Sequence, residues 1–273
     1  MSDSAYPQVD RRRNLSREEF RREYLYPGRP VIIEDAIEDW RSHRLWSWDG
    51  LKEACGTAKV RVYRYDPTLE YRPNDVRFMP LGELIDHVRT GDDWQSFPYY
   101  LRDEWNLFHQ YPQLRAAQKV PGYFFDWFKF LPPRLRLEYP RIFIGPRGAI
   151  TPLHMDIWGT HAWLSQLSGR KRWLLFSPDQ APLLYGYKVR VESPDYERQP
   201  LFRQARPVEA FINPGDTIWV PSAWSHWVQS VEPGLSVTYN YMGPGCFKSS
   251  LKGMFKQQIV RRMRRKQVLA PAA

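Results

Sequence analysis

Two histidines and one aspartate have the types and spacing to do chemistry together. His154 and Asp156 stand two apart in Thr151-Pro-Leu-His154-Met-Asp156. Side chains alternate faces along a strand, so residues two apart point the same way and can reach one ion together. The third member, His226, lies 70 residues after Asp156. It ends the run Gly215-Asp-Thr-Ile-Trp-Val-Pro221-Ser-Ala-Trp-Ser-His226, in which a Gly-Asp turn leads into an apolar strand, a Pro-containing turn and a second strand. Two His and one carboxylate on one face of a β-barrel leave three adjacent coordination positions open, the arrangement of non-haem Fe(II) oxygenases. A structural zinc site uses four protein ligands, and no obvious fourth is present. Cys55 and Cys246, the only cysteines, make neither a disulfide framework nor a Cys-based zinc site.

The elements that must position this trio come from a change of texture at Arg141. Short apolar runs separated by Gly and Pro then follow one another: Ile142–Ile144, Ala162–Leu167, Arg172–Phe176, Val208–Ile212, Thr217–Val220, Trp227–Val231 and Leu235–Tyr241. Seven strand candidates with no helical period between them imply an all-β barrel or sandwich. The half before them is mixed. Ser16-Arg-Glu-Glu19 is a capping-box pattern that opens a short helix through Phe20, Tyr24 and Leu25, and Pro27-Gly-Arg-Pro30 ends it. Val31–Ile33 and Val60–Tyr63 read as strands, Leu51–Cys55 and Leu81–Val88 as helices. Residues 1–14 read as a flexible lead. Helical spacing returns at the end, where Phe247, Leu251, Met254, Phe255, Ile259 and Met263 recur at threes and fours.

Composition bounds the answer. A 273-residue chain that is 42% hydrophobic and 15% aromatic is neither disordered nor collagenous. With no apolar run of membrane-spanning length and no apolar stretch behind the polar start, the expectation is a soluble cytoplasmic protein that makes no membrane contact. The net charge of +10 is a tail property, because eight basic residues and no acidic one follow Glu232, leaving +2 for everything before. Such a tail suits an acidic partner such as nucleic acid, or is a solvated helix face.

The block from Thr151 to Asp156, with Gly159-Thr-His-Ala-Trp163, Gly169-Arg-Lys171-Arg-Trp-Leu-Leu-Phe176, the Pro221–His226 turn and Thr238-Tyr-Asn240, resembles the JmjC-type cupin oxygenases. The resemblance is specific over about residues 141–243 and continues more loosely over Leu15–Trp40 and Tyr99–Asp103. It implies a mainly β double-stranded β-helix (jelly-roll, cupin) core with an N-terminal α/β elaboration, together one catalytic domain over 15–243, and a basic C-terminal helical segment over 244–273. It implies Fe(II) as cofactor, with 2-oxoglutarate and dioxygen as cosubstrates. His154, Asp156 and His226 would hold the iron. Lys171, seventeen residues after His154, matches the lysine that pairs with the distal carboxylate of 2-oxoglutarate, a dianion that is costly to bury without a cation. Thr151, Thr238 and Tyr100 match hydroxyls that hydrogen-bond the cosubstrate, and Asn240 an amide close to the iron. Leu164 departs from the pattern, standing where the arginine- and lysine-modifying branch has a cosubstrate-binding Asn. His161 aligns with no ligand and reads as part of the pocket wall or of the layer behind it. Trp158, Trp163, Trp224 and Trp227 read as barrel packing, with Trp158 or Trp224 available to line the mouth.

The reaction so implied couples oxidative decarboxylation of 2-oxoglutarate, to succinate and carbon dioxide, with hydroxylation of a C–H bond. A protein or peptide side chain is the leading substrate; hydroxylating an N-methyl group there would make the enzyme a demethylase. A modified tRNA base is the first rival, gripped by Arg261–Lys266; a small molecule such as an amino acid is the second, and a non-catalytic cupin binding module the third. The C-terminal helix is expected to build a homodimer.

Overall fold

The structure, a computed structural model, describes residues 5–41, 43–64, 75–90, 99–104, 106–136 and 140–256. The N-terminal half contributes β1 (Asp10–Arg12), β2 (Val31–Ile33), β3 (Lys59–Arg64), β4 (Asp75–Pro80) and β5 (Tyr99–Glu104). The rest contributes β6 (Arg141–Gly145), β7 (Ile150–Met155), β8 (His161–Ser168), β9 (Lys171–Phe176), β10 (Val208–Ile212), β11 (Thr217–Val220), β12 (Ser225–Ser230) and β13 (Gly234–Tyr241). They make a nine-stranded sheet, β1-β2-β11-β8-β13-β6-β5-β3-β4, and a four-stranded sheet, β10-β9-β12-β7. All pairs are antiparallel except β1 on β2. Strands β6 to β13 supply four to each sheet, which is the expected jelly roll, and the N-terminal strands extend the larger sheet at both ends.

All seven expected strands are present, and the eighth of the barrel, β7, carries His154. Its Pro152 donates no ladder hydrogen bond, which a central strand would need. The sheet order resolves this: β7 is an edge strand, paired on one side with β12.

Alternation separates two cores. Ala162, Leu164, Trp173, Leu175, Ile218, Val220 and Val228 cluster between the sheets. Trp163, Trp219, Leu235 and Val237 face the other way, against Phe20, Tyr24, Trp40, Leu51, Leu84 and Ile85 of the N-terminal elements. Strand β8 is therefore covered on both faces and is buried without a break from His161 to Gln166. The capping box forms as expected, Ser16 accepting from the Glu19 amide while Glu19 accepts from the Ser16 amide. It starts the helix Arg17–Phe20, which widens into a π turn over Arg21–Leu25 and sets Phe20 edge-on to Trp219 at 5.1 Å. Helices Trp48–Cys55 and Leu81–Arg89 complete this layer.

The stretch expected to be a flexible lead is instead structured where described. Val9 is buried, Asp10–Arg12 pairs with β2, and the Arg11 guanidinium meets both Glu34 and the nearly buried Asp216 at 2.9 Å. These ordered contacts tie the segment to the turn before β11. The C-terminal helix is present over 247–256; Ile259, Met263 and the Arg261–Lys266 run lie outside the described residues. No helix among the described residues is long and apolar enough to cross a membrane.

Candidate metal centre

The three candidate ligands meet because two turns end side by side. His154 sits near the end of β7 and is in register with His226 at the start of β12, and Asp156 immediately follows β7. The two imidazoles lie with ring centroids 4.2 Å apart, and one ligand atom from each of His154, Asp156 and His226 falls within 4.8 Å of the others. Thr151 poses a problem of phase, because residues three apart on a regular strand point to opposite faces. The β7–β12 ladder answers it. Thr151 faces Val228 and His154 faces His226, so three steps on β7 match two on β12. This bulge at Pro152 and Leu153 turns Thr151, His154 and Asp156 all inward, while Leu153 packs outside.

The donor set suits a divalent ion. His154 Nδ1 donates to the Pro152 carbonyl at 2.8 Å, which fixes the tautomer with Nε2 free to ligate. His226 is buried and its Nδ1 has no hydrogen-bond partner among the described residues. Burial, and next the neighbouring His154, push its pKa down to about 3, so the ring is neutral at pH 7, the ligating form.

Lys171 opens β9 and is 2% exposed. Its Nζ donates to Ser236 Oγ at 2.7 Å and, more weakly, to Tyr100 Oη at 3.4 Å; Tyr100 Oη in turn lies 3.4 Å from Thr151 Oγ1. With no carboxylate partner among the described residues, burial drives the lysine pKa down to about 7 and the tyrosine up to about 12. A buried amine ringed by hydroxyls has the chemistry to take a carboxylate.

A cavity of about 260 Å³ includes Thr151, His154, Asp156, His226, Lys171, Thr238 and Asn240 in its lining. A model of the cupin-like domain matches residues 16–245. The chain belongs to the cupin-like domain family. Among curated relatives, this cupin is 27% identical to the arginine-specific demethylase JMJ20 of Arabidopsis thaliana over 84% of the chain and 56% of the relative. It is 29% identical to the 2-oxoglutarate and iron-dependent oxygenase JMJD4 of Gallus gallus (87% of the chain, 60% of the relative). It is also 29% identical to the bifunctional arginine demethylase and lysyl-hydroxylase psr-1 of Caenorhabditis briggsae (86% and 61%). The cupin thus spans little more than half the length of these relatives.

All the expected site residues of the cupin but Tyr100 line this cavity, and Tyr100 touches two that do, Lys171 and Thr151. Thr238 lines the wall, yet its hydroxyl donates to the Trp163 carbonyl at 2.6 Å and so presents only lone pairs inward. Asn240 Oδ1 accepts from Arg141 at 2.5 Å, and its buried Nδ2 has no partner among the described residues. Leu164, in register with Thr238, makes an apolar wall. Trp158 and Trp224 do not line the cavity: Trp158 packs edge-on to Phe128, and the Trp224 indole donates to the Gly28 carbonyl. Sequence reasoning missed Ser236 and Arg141. Ser236 was within reach, since Ser236, Thr238 and Asn240 alternate along one face of β13; Arg141 gave no signal beyond opening a strand.

Proposed function

We propose that this cupin is an Fe(II)- and 2-oxoglutarate-dependent dioxygenase that hydroxylates a C–H bond in a protein or peptide side chain. The observation that carries the reading is one cavity with a His-Asp-His trio in one part of its wall and, in another, a buried lysine held by hydroxyls. Two relatives, an arginine-specific demethylase and a bifunctional arginine demethylase and lysyl-hydroxylase, support a side-chain substrate.

Each residue then has a task. His154, Asp156 and His226 hold the iron, which when bound supplies dioxygen activation coupled to decarboxylation of the keto acid. Lys171 receives the distal carboxylate, taking up a proton at Nζ as the ligand's negative charge offsets the cost of burial, and Tyr100 and Thr151 orient that carboxylate. The Thr238 lone pairs and the Asn240 amide face the remaining space. Leu164, Trp173, Val220 and Val228 keep water away from the reacting atoms.

The test is anaerobic addition of Fe(II) and 2-oxoglutarate, followed by admission of air. A visible charge-transfer band that His226→Ala lacks, then succinate release, is the expected result; metal-replete protein with neither band nor succinate is a binding module. A peptide product heavier by one oxygen identifies hydroxylation, and formaldehyde identifies demethylation. Salt-sensitive RNA retention, abolished by neutralising Arg261–Lys266, would move the substrate to tRNA. The exposed Phe247 and Phe255 on the C-terminal helix support a homodimer, which light scattering checks.

A further inference from the structure

His161 is buried and does not belong to the metal trio, and its two hydrogen bonds run to the turn that leads to His226 and to Pro244, just before the helix over 247–256. Its Nδ1 accepts from the Ser222 amide at 2.9 Å, and its Nε2 donates to the Pro244 carbonyl at 2.7 Å. An amide must donate and a carbonyl must accept, so the ring is neutral with its proton on Nε2. Trp219 and Tyr241 flank it, both with ring centroids at 5.3 Å. Ser222 carries the connection onward. Its hydroxyl donates to the Gly159 carbonyl at 2.7 Å.

Gly159 closes the turn that begins at Asp156, and Ser222 lies in the turn that ends at His226. Both turns hold left-handed backbone at non-glycine residues, Trp158 (φ 56) and Ala223 (φ 64). Conformations of this kind persist only where the surroundings fix them. The same loop is buttressed from outside: a Cβ at Gly253, on the helix over 247–256, would stand 2.9 Å from Trp158 Cα.

We infer that His161 and Ser222 are positioning residues, a clasp that sets the spacing between the Asp156 turn and the His226 turn and couples it to the segment entering the C-terminal helix. The inference rests on the metal-centre reading. It assigns a task to two residues that neither ligate the metal nor line the cavity. Removing either link frees the two turns to move independently, so the trio loses preorganisation while the barrel remains folded.

Co(II) binding to the full chain tests it, with dissociation constant and ligand-field absorption as readouts. Ser222→Ala removes the hydroxyl link to Gly159. His161→Phe keeps the ring between Trp219 and Tyr241 and removes both of its hydrogen bonds. Each should weaken Co(II) about 10- to 100-fold, the range for partners that orient metal ligands, and alter the spectrum, whereas Ser222→Thr, which keeps a hydroxyl, should stay close to wild type. Tyr123→Phe is the control, since it removes a side-chain hydrogen bond to Leu15 far in sequence from either turn and should leave Co(II) affinity and spectrum unchanged. Wild-type affinity and spectrum in Ser222→Ala would overturn the clasp, even if His161→Phe failed to fold. Loss of affinity in Tyr123→Phe equal to that in Ser222→Ala would overturn it too. Wild-type protein that binds no Co(II) overturns the metal-centre reading and the clasp with it; wild-type binding matched by Ser222→Ala overturns the clasp alone.

Discussion

Replacing Lys171 with methionine should make the protein more stable and unable to bind 2-oxoglutarate. Burial lowers the Nζ pKa from 10.5 to about 7, and each unit is worth about 1.36 kcal/mol. Holding this lysine in its site therefore costs about 4 kcal/mol at neutral pH. Methionine is close in length and shape and carries no charge. The change also strips Ser236 Oγ of its 2.7 Å partner, a loss of about 1–2 kcal/mol. The balance is a gain of roughly 2 kcal/mol, on the order of 5 °C in Tm for a chain of this size.

The pH dependence isolates the cause. Between pH 10.5 and about 7 the unfolded chain binds a proton that the folded site resists, so wild-type stability falls as pH drops through this window. Lys171→Met lacks that dependence, and its advantage should be largest near pH 7 and shrink toward pH 10. Other groups, Tyr100 included, titrate alike in both proteins and cancel. Urea unfolding of ligand-free protein at pH 7 and pH 10 measures it. A variant less stable than wild type at pH 7, or an advantage that does not shrink by pH 10, would refute the reasoning.

Other outcomes follow from the same geometry. Wild-type affinity for 2-oxoglutarate, measured by calorimetry, should fall about tenfold per pH unit once the pH is well above 7, because ligand-free Lys171 is then neutral. His154→Ala and Asp156→Ala should each abolish succinate production and metal retention, seen by elemental analysis of dialysed protein. His161, whose pKa burial pushes down to about 4, resists a proton that the unfolded chain accepts below about 6.5. Stability should decline as pH falls from 6.5 to 4, and His161→Phe should flatten that decline in thermal melts. Gly253→Val places a Cβ against the Trp158 backbone, an overpacking cost of about 1–3 kcal/mol, and limited proteolysis should then cut first near the C-terminal helix.

The sequence was most legible where one face of a strand is apolar and turns are marked by Gly or Pro. β8, β9, β11 and β13 were read with small errors at their ends for that reason. β7 was entered only through the strand spacing of His154 and Asp156, and its Pro152 is tolerated because the strand lies at an edge. The ligand trio was legible from residue type and spacing. Thr151 was placed by resemblance against the rule of alternation, and the bulge opposite His226–Val228 is the physical reason it belongs. Ser236 could have been found by counting in twos from Thr238. The hydrogen bonds of His161 could not, because they join turns some sixty residues apart whose approach only the closed barrel creates.

The cavity wall carries several of the buried polar groups that this fold leaves unmet. Among the described residues, His226 Nδ1, Asn240 Nδ2 and the Trp173 indole N–H are buried without partners, and all three residues line the cavity. Lys171, also in its wall, has hydroxyls for company and no anion. A core optimised for stability would replace these groups, since each buried polar atom without a partner costs on the order of 1–3 kcal/mol. Their concentration at one cavity fits a fold in which local satisfaction is relaxed at the functional site. The consequence is measurable. Metal and 2-oxoglutarate complete different parts of this set, one at the trio and one at Lys171, yet both share the one cavity, which strands of both sheets line. Each should raise Tm alone, and each should raise the affinity for the other. Independent binding, with no coupling in calorimetric titrations using Co(II), would mean that the lysine and the trio serve separate ligands.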